Sequence, residues 1–232
     1  MPDLSTFPIT ARWPAKDPSV IQLYSYPTPN GVKVSIALEE MGLGYEPHLI
    51  TLKDEDVKSD AFLSLSPNNK IPAIIDPNGP DGVPIALWES GAILLYLAAK
   101  SGKFGGTTAT ENANITKWLM FQMGGLGPMF GQLGFFYKFA GKDITDPRPV
   151  QRYIDEAKRL LAVVEKQLDG QDWIAGEFSI ADIAIAPWLN ALDFYGAKDA
   201  TGYNDLVNVP AYVERFFDRP AVAKGRLITD PS

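Results

Sequence analysis

The stretch 24-YSYPTPNG-31 follows the apolar run Val20-Ile21-Gln22-Leu23 and opens into 32-VKVSIALEEMG-42, whose apolar residues recur at helical spacing. A strand that turns through proline into a helix often seats a Cys-x-x-Cys redox pair. Here that place reads Thr28-Pro29-Asn30-Gly31, and the chain contains no cysteine. Thr28 suits a helix N-cap, Pro29 the first helical position and Asn30 the first turn. Beyond capping, the Thr28 hydroxyl and the Asn30 amide are donors at the positive end of a helix. A thiol held there is acidified, because a helix N-terminus favours the thiolate.

Outward from this turn the pattern predicts β-α-β-α-β-β-α. The elements are a strand from 20, a helix over 29–41 stopped by Gly42, a strand over 46–52, and a helical turn at 61–65. A third strand follows at the end of 66-SPNNKIPAIID-76, a fourth lies over 83–89, and a helix over 89–100. The first half reads as a βαβ unit and the second as a hairpin plus helix. From 111 onward helical patterns dominate. Residues 114–139 are long, aromatic and interrupted by glycine. Residues 149–170 are amphipathic, with Tyr153, Ala157, Leu160, Leu161, Val164 and Leu168 on one face. Residues 179–194 are apolar enough to be buried, and 209–227 make two short helices broken at Pro220. The chain thus divides into an arm (1–19), an α/β unit (20–101) and an all-helical unit (112–228). Phe7 and Trp13 are placed to pin the arm to the body or to a partner subunit.

The totals narrow the function. A length of 232 residues, 46% hydrophobic and 21% charged, is ordinary for a globular protein of one large or two modest domains. No apolar run approaches the ~18 residues a membrane span needs, and the first residues lack the apolar core of a signal peptide. The expectation is a cytoplasmic protein with no membrane partner. A formal net charge of -7 argues against nucleic acid as a partner. One histidine, His48 in a predicted strand, is too few for a histidine metal cluster, so no metal is expected and His48 reads as structural.

Two further motifs bear on binding. In 66-SPNNKIP-72, if the Ile71–Pro72 bond is cis, the Ile71 backbone is turned outward, and its N–H and C=O can pair with an extended peptide as an added strand. The plainer reading is a loop. In 89-ESG-91, Ser90 is a natural N-cap, and the first N–H groups of the helix receive a carboxylate. Glu89 receives an ammonium, and together they suit an amino-acid head group. The plainer reading is ordinary capping.

In this order the motifs resemble the glutathione transferase family over residues 20–225. They resemble more closely its nu class, the bacterial disulfide-bond oxidoreductase type, in TPNG (28–31), SPNNKIPAI (66–74), ESGAILLYLA (89–98) and GGLGPMFGQ (124–132). The resemblance implies a thioredoxin-fold N-terminal domain, an all-α C-terminal domain, a homodimer, and glutathione as co-substrate, either two reduced molecules per subunit or one oxidised. It implies that Thr28 and Asn30 hold the thiol and that Ile71, before Pro72, pairs with the cysteinyl backbone. Glu89 and Ser90 take the γ-glutamyl end, Asn69 or Lys70 meets the glycine carboxylate, and Arg152 reaches in from the helical domain. Val57 stands where some members carry a polar ligand contact, with Lys58 as the compensating residue. The run 179-SIADIAIAPW-188 resembles the family's folding motif, with Ser179 and Asp182 as a capping box and Ile180 buried.

What such a site does without cysteine then has an answer: the ligand brings the sulfur. Tyr24, Ser25 and Tyr26 are alternative hydroxyls, with strand alternation placing Ser25 on the face opposite the tyrosines; Thr28 with Asn30 is preferred. The expected activity is glutathione-dependent reduction of a small-molecule disulfide. The alternatives are a transferase or peroxidase acting on electrophiles, with 135-FFYKF-139, Met129 and Phe130 walling an apolar pocket, and a non-catalytic glutathione-binding regulator. Hydrophobic side chains near the surface at Phe62, Trp88 and Met123 are compatible with a homodimer.

Overall fold

The computed structural model describes residues 3–227. The chain forms two units: residues 3–102 together with 220–227, and residues 103–219.

The first unit is built on a four-stranded sheet in the order β2-β1-β3-β4, from β1 (Ile21–Ser25), β2 (Tyr45–Leu49), β3 (Ala73–Asp76) and β4 (Ile85–Trp88). β1 runs parallel to β2 with Leu23 opposite Pro47, and antiparallel to β3 with Leu23 opposite Ile74. β4 closes the edge antiparallel to β3. All residues of the central strands β1 and β3 are buried, which explains their unbroken apolar runs. Helix α1 (Gly31–Met41) crosses between β1 and β2 and ends on Gly42 in the left-handed region (φ 70°). The short helices α2 (Asp54–Val57) and α3 (Asp60–Leu63) lead to β3, and α4 (Ser90–Ser101) follows β4. This is the predicted β-α-β-α-β-β-α order in a thioredoxin-like arrangement, with one more turn of helix than expected before β3.

The arm is part of this core. Residues Pro8–Ala11 form a 3-10 turn, and Leu4 and Ile9 are buried in a cluster with Tyr24, Ile50, Phe62 and Leu65. Phe7 and Trp13 pack against the same cluster. Arg12 pairs with Asp56 and donates to Glu55 O at 2.6 Å. Phe62 is therefore core, which corrects its expected place on the surface; the arm covers it. His48 is structural too. It stacks on Tyr24 with centroids 4.6 Å apart. Gln22 spends its amide hydrogens on Asp17 O and Val20 O, so its oxygen accepts from His48 Nε2 at 2.8 Å. Burial lowers the imidazole pKa and keeps the ring neutral.

The helical unit holds α5 (Ala109–Phe121), α6 (Gly127–Tyr137), α7 (Arg148–Gln167), α8 (Ile180–Tyr195) and α9 (Asn208–Phe217). Between α5 and α6 the chain widens into a π turn, Gln122–Leu126. Pro128, with no N–H to give, is the second residue of α6, so the ladder is relaxed near where it is interrupted. Helix α8 is buried along nearly its whole length. Its capping box forms: Ser179 Oγ accepts from Ala181 N–H, and Asp182 accepts from Ser179 N–H at 2.9 Å, Ile174 N–H at 2.9 Å and Tyr212 OH at 3.0 Å. Ile180 is buried beside it.

One expectation about the second unit is corrected. The sequence pattern carries the helical part on to 228, whereas α10 (Pro220–Gly225) belongs with the first unit. It packs on α1 closely enough that a Cβ on Gly225 would lie 2.7 Å from Ile36 Cα, and Lys224 pairs with Glu39 at 2.8 Å. Among the described residues no helix is long and apolar enough to cross a membrane.

Candidate functional site

The turn between β1 and α1 is fixed by its own backbone. Thr28 N–H donates to Tyr26 O at 2.7 Å, and Val32 N–H donates to Thr28 O at 3.0 Å. Helical bonding therefore starts at Thr28, as the capping pattern predicts. Thr28 Oγ1 accepts from Gly31 N–H at 3.2 Å, and the hydroxyl hydrogen has no acceptor among the described residues. Only glycine fits at 31, since a Cβ there would sit 1.8 Å from Tyr26 O and 2.7 Å from Ser25 Oγ.

Two of the three neighbouring hydroxyls are excluded by burial, while Tyr26 is half-buried. Tyr24 is fully buried, its hydroxyl has no partner among the described residues, and burial raises its pKa well beyond the ordinary phenol value. Ser25 Oγ is likewise buried, beneath Gly31. Thr28 is half-buried, as is Asn30.

Asn30 Oδ1 accepts from Lys33 Nζ at 2.7 Å, and the same ammonium reaches Ser90 Oγ at 3.4 Å. One lysine thus bridges the start of α1 and the start of α4. Lys33 is fully buried; desolvation pushes its pKa down to about 7, against the field of Glu89, which pulls it up. Lys33 is the site residue that sequence reading missed. The signal was a lysine between two valines on a helix that is buried almost all round.

Glu89, just before α4, has φ 75° and ψ 111°, a left-handed backbone that a residue with a Cβ rarely adopts. Such strain gathers at ligand sites. Its side chain is exposed while Ser90, next to it, is buried. The Ile71–Pro72 bond is cis. Ser66 Oγ donates to Lys70 O at 2.8 Å and Asn69 N–H to Ser66 O at 2.9 Å, which ties the loop back on itself; Asn69 takes φ 52°. Lys70 is exposed and Asn69 half-buried. Val57 packs in the apolar cluster, and Lys58 pairs with Asp54 at 2.8 Å on an exposed helix face.

Arg152 lies in the other unit, on α7. It is exposed and lines a groove of about 890 Å³ whose walls include Met129, Tyr153, Glu156 and Arg159. Arg148 is paired with Asp146 and Arg159 with Glu156, whereas Arg152 makes no ion pair or hydrogen bond among the described residues. Tyr153 stacks on Phe136 at 5.4 Å. Phe130 is core and Phe139 is exposed beside Phe194, so the aromatic stretch is divided between packing and surface. Trp88 is about one-third exposed on the edge strand and Met123 is half-buried.

Chemically, the first unit offers a hydroxyl and a helix N-terminus to an anion at Thr28, a second helix N-terminus to a carboxylate at Ser90, and a carboxylate to an ammonium at Glu89.

Comparison with known proteins follows the same division. The family described as glutathione S-transferase, N-terminal domain matches residues 19–99, and glutathione S-transferase, C-terminal domain matches 127–219. The chain is 43% identical over 213 residues to disulfide-bond oxidoreductase YfcG of Escherichia coli (strain K12), covering 90% of this chain and 95% of that protein. A glutathione transferase from Pseudomonas putida, solved with one glutathione disulfide per subunit, superposes with a TM-score of 0.96 at 54% identity, covering 99% of this chain and all of that one. Another from Burkholderia graminis, solved with two glutathione molecules per subunit, gives 0.98 at 56% identity over all of this chain and 98% of that one.

Proposed function

The chain belongs to the glutathione S-transferase family, and from that premise we propose that it is a nu-class enzyme that reduces disulfides with glutathione, the bound glutathione supplying the thiol. The observation that carries the reading is the Thr28 turn: a hydroxyl with its oxygen already engaged by Gly31 N–H, at the positive end of α1, in a chain without cysteine. The sulfur it is built to hold is a ligand's. The relatives solved with two glutathiones or with glutathione disulfide support the same reading.

In the proposed cycle one glutathione lies along the first unit. Its γ-glutamyl carboxylate meets the Ser90 N-terminus of α4, its ammonium meets Glu89, and its cysteinyl backbone pairs with Ile71 beside cis Pro72. Asn69 or Lys70 takes the glycine carboxylate. Thr28 donates to the thiolate, with Asn30 beside it. The thiolate attacks one sulfur of the substrate disulfide; a mixed disulfide forms and the other half leaves as a thiolate that takes a proton. A second glutathione thiolate then attacks the glutathione sulfur of the mixed disulfide. Glutathione disulfide forms and the second substrate thiol is released, so two electrons pass from two glutathiones to one disulfide. Arg152, which makes no ion pair among the described residues, is proposed to take a carboxylate of the second glutathione. The enzyme is proposed to act as a homodimer in the cytoplasm, where glutathione is kept reduced.

The test is steady-state reduction of 2-hydroxyethyl disulfide by glutathione in wild type and in Thr28→Ala, Asn30→Ala and Arg152→Ala. Turnover well above the uncatalysed rate, lowered in each variant, is expected. Glutathione binding without turnover would put the non-catalytic reading in its place. A second reading, transfer of glutathione to an electrophile or peroxide, draws on the groove walled by Met129 and the Tyr153–Phe136 stack. Faster turnover of aromatic electrophiles than of disulfides would favour it.

A further inference from the structure

A fully buried lysine is uncommon, because an ammonium removed from water needs strong compensation. Lys33 is such a residue, and it is placed where the two halves of the site meet. Its Nζ donates to Asn30 Oδ1 at 2.7 Å, in the thiol turn, and reaches Ser90 Oγ at 3.4 Å, at the start of α4. We propose that Lys33 is a positioning residue that makes these halves one unit: it fixes the Asn30 amide and the Ser90 hydroxyl together and places a positive charge beneath the ligand thiol. The inference rests on the reading of the site as a glutathione site.

The geometry dictates three consequences. First, the Asn30 amide is held in one orientation, since a flip would set its NH₂ against the ammonium, donor against donor. Second, the Ser90 oxygen is engaged by the same ammonium, which ties the start of α4 to the thiol turn. Third, the charge is shielded from water and acts at short range on whatever anion Thr28 and Asn30 hold.

Glu89 at the start of α4 is a group whose field reaches Lys33. Tyr96 and Lys100, further along α4, are engaged with Asp76. Lys224 of α10 pairs with Glu39, and Tyr24 of β1 is kept neutral by burial. Because burial brings Lys33 itself close to neutrality near pH 7, the support it gives the thiolate is largest below that pH and fades above it.

The experiment titrates the thiol of bound glutathione by its thiolate absorbance in the ultraviolet, at saturating glutathione. It uses wild type, Lys33→Met, which keeps the length of the side chain and removes charge and donor, and Lys33→Gln, which keeps a donor alone. In wild type the midpoint is expected below that of free glutathione. In Lys33→Met it moves up by about one pH unit, leaving roughly tenfold less thiolate at pH 6.5. In Lys33→Gln it moves by less. Activity at pH 6.5 falls with the thiolate fraction, and Lys33→Met adds little to Asn30→Ala in the double variant. A wild-type midpoint equal to that of free glutathione, or no binding, overturns the reading of the site. A lowered wild-type midpoint left unmoved in both variants overturns the role of Lys33 alone.

Discussion

Replacing Lys33 with methionine has a consequence for stability that can be worked out before any activity is measured. The unfolded chain holds this ammonium near its ordinary pKa of 10.5, whereas the folded chain brings it down to about 7. Below pH 7 both states carry the proton, and the folded state bears the full penalty of burying it, roughly 5 kcal/mol. Between pH 7 and 10.5 the unfolded state binds more protons, so the wild type gains stability as pH rises through this window. Methionine has no proton to lose and shows no such slope. The hydrogen bonds to Asn30 and Ser90 are lost at every pH, a term of about 2 kcal/mol. Lys33→Met is therefore expected to be more stable than wild type by about 3 kcal/mol at pH 6 and about equal to it at pH 9. Urea unfolding at the two pH values, with equal slopes in denaturant, reads this directly from the shift in midpoint. A difference between the proteins that is the same at both pH values would refute the reasoning. A stabilised Lys33→Met with a weaker thiolate would show that the lysine is kept for the site at the expense of the fold.

Asp182 works in the opposite sense: burial pushes its pKa up to about 6 despite four accepted hydrogen bonds, so its contribution is full below pH 3.8 and is lost as pH rises through 6. Wild type should lose about 1 kcal/mol between pH 5 and 7 that Asp182→Asn does not lose, measured by the same melts. Gly31→Ala forces the turn apart at Tyr26 O and is expected to destabilise by about 1–3 kcal/mol, with disulfide reductase activity falling further than stability; native-like midpoint and activity would show that the turn yields. Thr28→Ser keeps the hydroxyl and should retain disulfide reduction within about threefold, whereas Thr28→Val, which keeps the shape, should lose about tenfold or more, as a hydrogen bond to a charged sulfur demands; equal rates in Ser and Val would remove the hydroxyl from the mechanism.

The strand and helix pattern was legible because each element obeys a local rule. The apolar runs of β1 and β3 belong to strands buried on both faces, Gly42 ends α1, and Ser179 with Asp182 caps α8. The thiol turn was legible for the same reason, since Thr28, Pro29 and Gly31 are each tied to one backbone requirement. What stayed hidden depends on contacts distant in sequence. Nothing near Phe62 announces that Leu4 and Ile9 will cover it. Pro220 marks a break, but not that the helix after it returns to α1. Lys33 looks like a solvated charge until α4 is brought against it, because its partner Ser90 is 57 residues away.

The return of α10 has a bearing on how the chain acquires its binding surface. The helix that presents Thr28 and Lys33 packs against Gly225, and Val222 is buried near it. During synthesis the ribosome delivers the whole helical unit before it delivers that covering helix. The thiol turn is thus left with its supporting helix partly bare until translation has passed residue 225. A nascent chain halted at any earlier point would display that apolar flank to chaperones and proteases.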